Sequence, residues 1–474
     1  MLEPLQHINN FLYTYLIIAV LIGCGLYFTI RTRGVQFRLL KDSCRLLVRS
    51  QDGKAASGRR HVSSFQAFAV SLASRVGTGN LAGVATAISV GGPGAVFWMW
   101  VTALLGAATG FVEATLAQLY KRTDKDSFIG GPAYYIESGL GVRWMAVLSA
   151  VLIIFTFAFG FTSVQCNTIG AAFENAFGWN HIVVGVVVAA VVGIIIFGGI
   201  QRIARFSAAI VPMMAVGYVA LALVVLIMNI SSVPAALRLI VESAFGIRQA
   251  AGGMIGAAIM QGVRRGLFSN EAGLGSAPNA AATAHVSHPV KQGLVQVLGV
   301  FVDTLVICTC TALIILLSGV DFRASSGIEL TQQAVESQLG PVGGWLITVA
   351  LFFFAFSTII ANYFYGETNI RFITNKEWAV QLFRVISGFT DRVIPENTEQ
   401  FTAVVFTLAP DLHYISIRGT DDTIAAWKEN FMMAVREGPS STFTNASHSR
   451  SFDRDSAAST TSRTRTGARR CAST

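Results

Sequence analysis

The sequence predicts an all-α membrane protein of many spans, and three observations carry that prediction. Of the 474 residues 53% are hydrophobic and 13% charged, with a mean hydropathy of +0.57, whereas soluble domains carry roughly a quarter charged residues. Nine stretches before residue 375 approach the roughly 20 apolar residues that cross a bilayer. Two of these nine are interrupted by clustered glycines and polar side chains instead of being uniformly apolar. The same composition excludes a soluble enzyme and, for most of the chain, disorder. Six scattered cysteines without a CxxC pair read as neither a disulfide framework nor a metal site.

The first stretch, near 11–30, lacks a basic segment before it and a small-residue cleavage site after it, so it reads as a retained helix. Residues 31–60 then carry nine Lys or Arg against Asp42 and Asp52, which places this loop in the cytoplasm and the N-terminus outside. The remaining stretches lie near 64–90, 95–119, 144–175, 182–200, 206–229, 252–290, 293–318 and 341–372. Alternating from the first loop, Arg202 and Arg205, then His285, His288 and Lys291, then Arg371 and Lys376 fall inside. The acidic loop 319–340 falls outside. The net charge of +9 reads as this orientation signal in the lipid bilayer, and no nucleic-acid partner is expected.

The interrupted stretches are the second, with Ser74-Arg75-Val76-Gly77-Thr78-Gly79-Asn80, and the seventh, with Phe268-Ser269-Asn270-Glu271-Ala272-Gly273-Leu274-Gly275. A helix broken in lipid leaves backbone groups unsatisfied unless they line a cavity or bind something. Each interrupted segment opens what reads as a five-helix half, and odd halves run in opposite directions. Paired interruptions of this kind point to a secondary transporter, with helix-end amides for a carboxylate and freed carbonyls for a cation. The first glycine cluster is not a phosphate loop, since it has no preceding strand and no P-loop lysine. Two readings stand for Arg75, a ligand role or a bundle-holding pair with Glu113 or Glu271. Two also stand for Asp303, a functional carboxylate or a helix-to-helix hydrogen bond. Gln165 in the fourth stretch and the hydroxyls of Ser357 and Thr358 in the ninth bring further polar groups to mid-membrane. Oxygen ligands beside a broken helix suit a hard monovalent cation.

Val76 to Thr86, Gly91-Gly92-Pro93-Gly94-Ala95-Val96-Phe97-Trp98-Met99-Trp100-Val101, Gly130-Gly131-Pro132-Ala133-Tyr134-Tyr135 and Phe268 to Pro278 together resemble the alanine or glycine:cation symporters, over about residues 5–373. The resemblance implies a leucine-transporter-type inverted-repeat fold and symport of alanine or glycine with sodium, in some members proton, across the cytoplasmic membrane. It implies no cofactor and no bond-making chemistry. By the same resemblance Thr78 and Gly79 receive the substrate carboxylate, Gln165 also reaches the substrate, and Phe268, Asn270 and Gly273 form the opposite wall. Asn362 closes the pocket, while Val76, Asn80, Ser357 and Thr358 hold the cation.

The family pattern continues into further membrane helices after Tyr365-Gly366-Glu367, and this sequence does not. From Asn375 the composition turns polar, so the second repeat is expected to be truncated, with three core helices against five. The expected domains are a membrane transporter at 1–374, a soluble α/β-like fragment at 375–439 and a disordered tail at 440–474. Within the fragment, strands are expected at 401–408 and 414–422. Arg418-Gly419-Thr420 resembles an early turn of lipase-like α/β-hydrolases, but no GxSxG elbow is present, so triad chemistry is not available. The tail holds sixteen Ser or Thr and six Arg against two Asp, a composition that cannot build a core. The alternative to transport is an inactive symporter remnant joined to unrelated sequence.

Overall fold

A computed structural model of the chain describes residues 11–49, 62–124, 127–197, 199–246, 252–374 and 376–389. It is almost wholly helical. The main helices among the described residues are α1 (Ile18–Arg31), α2 (Leu40–Arg49), α3 (Ser64–Arg75), α4 (Gly79–Gly91), α5 (Gly94–Leu119), α6 (Arg143–Phe177), α7 (His181–Ile196), α8 (Gly199–Met228), α9 (Val233–Ala244), α10 (Gly252–Asn270), α11 (Ala277–Thr283), α12 (Pro289–Leu317), α13 (Gly327–Leu339), α14 (Pro341–Ile373) and α15 (Glu377–Phe389). Five of them, α5, α6, α8, α12 and α14, are long and apolar enough to cross a membrane. A two-stranded antiparallel hairpin, β1 (Arg122–Asp124) and β2 (Ser127–Ile129), follows α5.

Local chemistry sets the boundaries. Ser63 accepts from the Gln66 amide while Gln66 accepts from the Ser63 amide, a capping box that starts α3. Gly92 at φ +74° and Pro93 turn the chain from α4 into α5. Asn180 caps α7, and His288 with Pro289 opens α12. The second expected stretch becomes α3 and α4, separated at 76–78. The seventh becomes α10 and α11, separated at 271–276, where Glu271 (φ +53°), Gly273 (+90°) and Gly275 (+76°) leave helical geometry.

Helix α5 packs against α10, α11 and α12, and α14 packs against α3, α6, α8 and α13. Small residues permit the first contact. A Cβ at Gly262 would lie 2.5 Å from the Ala95 carbonyl, and one at Gly266 3.2 Å from the Met99 Cα, so α10 lies backbone-close on α5. Of five π-helical turns among the described residues, three fall in α4, α6 and α12, at Gly79–Gly83, Ile154–Phe161 and Phe301–Cys308. Such turns gather at functional sites. Residues such as Ile194, Val216 and Ile227 remain exposed on α7 and α8, an apolar surface suited to lipid.

Several segments depart from expectation. The loop expected at 319–340 holds α13, which packs on α4 and α14, and α9 occupies the connection before α10. Both are short, so a search for membrane-length apolar runs does not find them. Past the domain boundary expected at 374, α15 packs on α14 with Val380 and Phe383 buried. Arg384 donates to the Tyr363 hydroxyl (2.9 Å) and to Glu367 (3.0 Å), so the packing of the membrane domain continues beyond that boundary. The strands expected at 401–408 and 414–422 and the tail at 440–474 lie outside the described residues.

Candidate substrate and cation site

The break between α3 and α4 gathers most of the expected site. Once Val76 leaves helical geometry at ψ 89°, the Gly77 amide donates to Asn80 Oδ1 at 2.9 Å and the Thr78 amide to Gln165 Oε1 at 3.0 Å. The Gly77 amide would otherwise bond the Ala73 carbonyl four residues back. That carbonyl instead accepts from Thr358 Oγ1 at 2.8 Å, and Val76 O lies 3.4 Å from the same hydroxyl. Two backbone carbonyls freed from a helix and one hydroxyl of α14 thus converge. All of these side chains are buried.

Gly77 is required by this convergence, because a Cβ there would lie 2.5 Å from Thr358 Oγ1 and 2.9 Å from Gln165 Oε1. At Gly79 a Cβ would come within 3.0 Å of the Phe268 ring. That ring stacks on Phe161 at 4.9 Å, and Phe161 stacks on Phe157 at 4.6 Å, giving an aromatic wall from α6 to α10. Val76, Thr78, Gly79, Asn80, Gln165, Phe268 and Thr358 therefore meet at one place.

Four expected residues lie apart from that cluster. Ser357 Oγ donates to Phe354 O of its own helix at 2.9 Å and lies 3.6 Å from Met214 Sδ on α8, so its hydroxyl serves the α8 side. Asn362, one turn beyond Thr358, accepts from Ser74 Oγ at 3.1 Å, and the same hydroxyl lies 2.7 Å from Glu271 Oε1. Asn270 caps its own loop, its Oδ1 accepting from the Ala272 amide at 3.0 Å. Gly273 donates its amide to Glu113 Oε2 at 3.0 Å, toward α5.

Asp303 is the main group of the cluster that the expected ligand set omits. In the π-helical turn of α12 it accepts from Asn80 Nδ2 (2.6 Å), Ser269 Oγ (2.8 Å) and Thr304 Oγ1 (2.7 Å). The helix-to-helix reading of Asp303 is thus the one seen, joining α4, α10 and α12. Its signal in the sequence was a carboxylate at membrane depth; which helices it joins was not written there. Arg75 pairs with neither Glu113 nor Glu271 within ion-pair distance among the described residues. Its Nη1 donates to Gln296 Oε1 at 3.2 Å, and Ser71 donates to the same oxygen at 2.6 Å.

Three candidate residues keep buried polar atoms without hydrogen-bond partners among the described residues: Thr78 Oγ1, Asn270 Nδ2 and Asn362 Nδ2. Buried polar groups are rarely left unpaired. Orphans at both helix breaks, beside converging oxygens, suit a polar ligand between α3–α4 and α10–α11.

The sequence model of the sodium:alanine symporter family matches residues 2–407, and a second, Mbeg1-like, matches 381–449. A relative in Bacillus subtilis named a probable sodium/glutamine symporter is 51% identical over 390 residues, covering 81% of each chain. A sodium/alanine symporter of Methanococcus maripaludis is 39% identical over 387 residues, covering 80% of this chain and 84% of its own. The crystal structure of MhsT in complex with L-phenylalanine shares the fold, with a TM-score of 0.54 at 14% identity over 80% of this chain and 97% of that one. The chain belongs to the sodium:alanine symporter family, a multi-pass membrane protein of leucine-transporter-type fold that acts as a cation-coupled amino-acid transporter and not as an enzyme.

Proposed function

We propose that the chain carries a small neutral amino acid, alanine or glycine, across the cytoplasmic membrane with sodium, by alternating access between two inverted repeats opened by the broken helices. The observation that carries this reading is the helix break at 76–78. There the Thr78 amide holds an acceptor oxygen, that of Gln165, at 3.0 Å, which is what a substrate carboxylate would offer in its place. Beside it the carbonyls of Ala73 and Val76 and the hydroxyl of Thr358 supply the oxygen donors a hard cation takes.

Phe268 on its aromatic stack limits the pocket, and Thr78 Oγ1 and Asn362 Nδ2 have donor or acceptor capacity left for a ligand. Asn270, Gly273 and Ser357 would serve at its margin. Asn80 enters through Asp303, which orients its amide. Cation and zwitterion bind cooperatively, since each reduces the electrostatic cost of the other. The basic loops support an orientation with the N-terminus outside and the segment after α14 in the cytoplasm.

Uptake of labelled alanine, glycine and glutamine into proteoliposomes tests the reading, with an inward sodium gradient, a proton gradient or neither. Accumulation of alanine or glycine that collapses without the sodium gradient supports it. Uptake of glutamine alone would move the substrate to the one named for the Bacillus relative, and a response to the proton gradient alone would change the coupling ion. Absence of uptake by inserted protein would overturn the transport reading.

A further inference from the structure

On the face read here as cytoplasmic, both broken helices end against one small cluster of side chains outside the candidate site. Helix α11 stops at Thr283, and the last carbonyls of a helix have no partner within it. Two side chains from the end of α5 provide partners. Gln118 Nε2 donates to the carbonyls of Ala281 and Ala284. Lys121 Nζ donates to the Ala284 carbonyl at 2.7 Å and to Gln118 Oε1 at 2.7 Å.

The Lys121 ammonium also lies 4.0 Å from the ring centroid of Phe128 on β2, and that ring stacks on His285 at 6.0 Å. The backbone continues the joint. The His285 amide donates to Val62 O at 3.0 Å, and Val62 pairs with Ala284 just before α3 begins. Gly130 lies so close to α11 that a Cβ there would sit 2.7 Å from Ala282 Cβ. The ends of α3 and α11 on this face are thus tied to each other, and Gln118 and Lys121 tie the pair to α5. Burial pushes the Lys121 ammonium down to about 8. The charge held in the closed clasp therefore gains hydration when α11 moves away, which makes the contact releasable.

We propose that Gln118 and Lys121 form the gate on this face: positioning residues that hold α11 and the start of α3 closed, and whose release opens the substrate site there. The inference rests on the alternating-access reading above. A helix that must swing away loses its trans caps at Ala281 and Ala284, which leaves the Ala281 carbonyl only the long 3.4 Å bond from the Ala284 amide.

Hydrogen exchange followed by mass spectrometry on the full chain in lipid nanodiscs tests it, with the unaltered protein beside Lys121→Met, Lys121→Arg and Gln118→Ala. Lys121→Met and Gln118→Ala are expected to raise exchange in 277–288 about tenfold or more, the loss typical of a hydrogen bond from a charged donor or to a buried carbonyl, while α6 and α14 keep theirs. Lys121→Arg, which keeps charge and donors, is expected to restore the unaltered pattern. Unchanged exchange in Lys121→Met overturns the proposal. So does exchange raised equally through α5, α6 and α14, or failure of the arginine variant to restore protection. If the local response is seen but the unaltered chain moves no amino acid in proteoliposomes, the transport reading fails and the clasp stands as a conformational contact alone.

Discussion

At Gly77 the absence of a side chain lets α14 and α6 reach the break in α3–α4 together, with Thr358 Oγ1 and Gln165 Oε1 within 2.5 and 2.9 Å of where a Cβ would stand. Neither neighbour can give way without leaving the Ala73 carbonyl or the Thr78 amide. Gly77→Ala should therefore cost about 1–3 kcal/mol locally and abolish sodium-driven uptake while the protein still inserts, as uptake and membrane fractionation would show. Thr358→Ala removes a hydroxyl that contacts two carbonyls at the break. Half-saturation by sodium is expected to rise about tenfold or more, with Thr358→Ser near the unaltered value. Sodium titration of uptake checks both variants, and equal behaviour of the two would count against a cation role. These residues were legible because glycines, an amide and adjacent hydroxyls are conspicuous in apolar segments. That Thr358 turns toward the break and Ser357 toward Met214 was not, because the rotation of a buried helix depends on its neighbours.

At the scale of elements, the long apolar helices followed from hydropathy, since a membrane span must satisfy its own backbone. The short ones did not. Helices α9, α13 and α15 are held by tertiary contacts: α13 by Gln332 donating to the Ala172 carbonyl (3.0 Å) and Thr348 (2.8 Å), and α15 by Phe383 stacking on Tyr363 at 5.7 Å. A Cβ at Gly366 would meet the Phe383 ring and lie 2.9 Å from Ala158 Cβ. Gly366→Leu should expel α15 and cost about 1–3 kcal/mol, read as a lower Tm in detergent and as protease sensitivity near residue 377. At the other end of the core, Ser63→Ala removes the capping box of α3 and should cost about 1 kcal/mol, also read as a fall in Tm.

Across the whole molecule, charge concentrates in the connections, and one cluster there carries a pH dependence. Glu137, after the β1–β2 hairpin, is bonded by Arg143 and by Arg122 at 2.6 Å. These guanidiniums hold its carboxyl below the ordinary carboxylate range. A carboxyl lowered in the folded state contributes stability above its unfolded pKa and loses it as pH falls through the folded one. The difference in Tm between the unaltered chain and Glu137→Gln should thus be constant near neutral pH and shrink as the solution is acidified below the usual carboxylate pKa. The residue is partly exposed, so the effect is small and weakens with salt.

By itself the sequence determined the membrane class, the long helices, the two breaks and the family, because each is written in local composition: apolar length, clustered glycines and contiguous motifs. The tertiary structure decided which polar groups share a site. It brought Asp303 to Asn80, 223 positions away in the chain, folded Asn270 onto its own loop and turned Gly273 toward α5, left Arg75 on Gln296 in place of a carboxylate, and tied Val62 to Ala284. In a low-dielectric interior a buried polar atom takes the partner that three-dimensional packing brings within hydrogen-bond reach, and distance along the chain does not encode that choice.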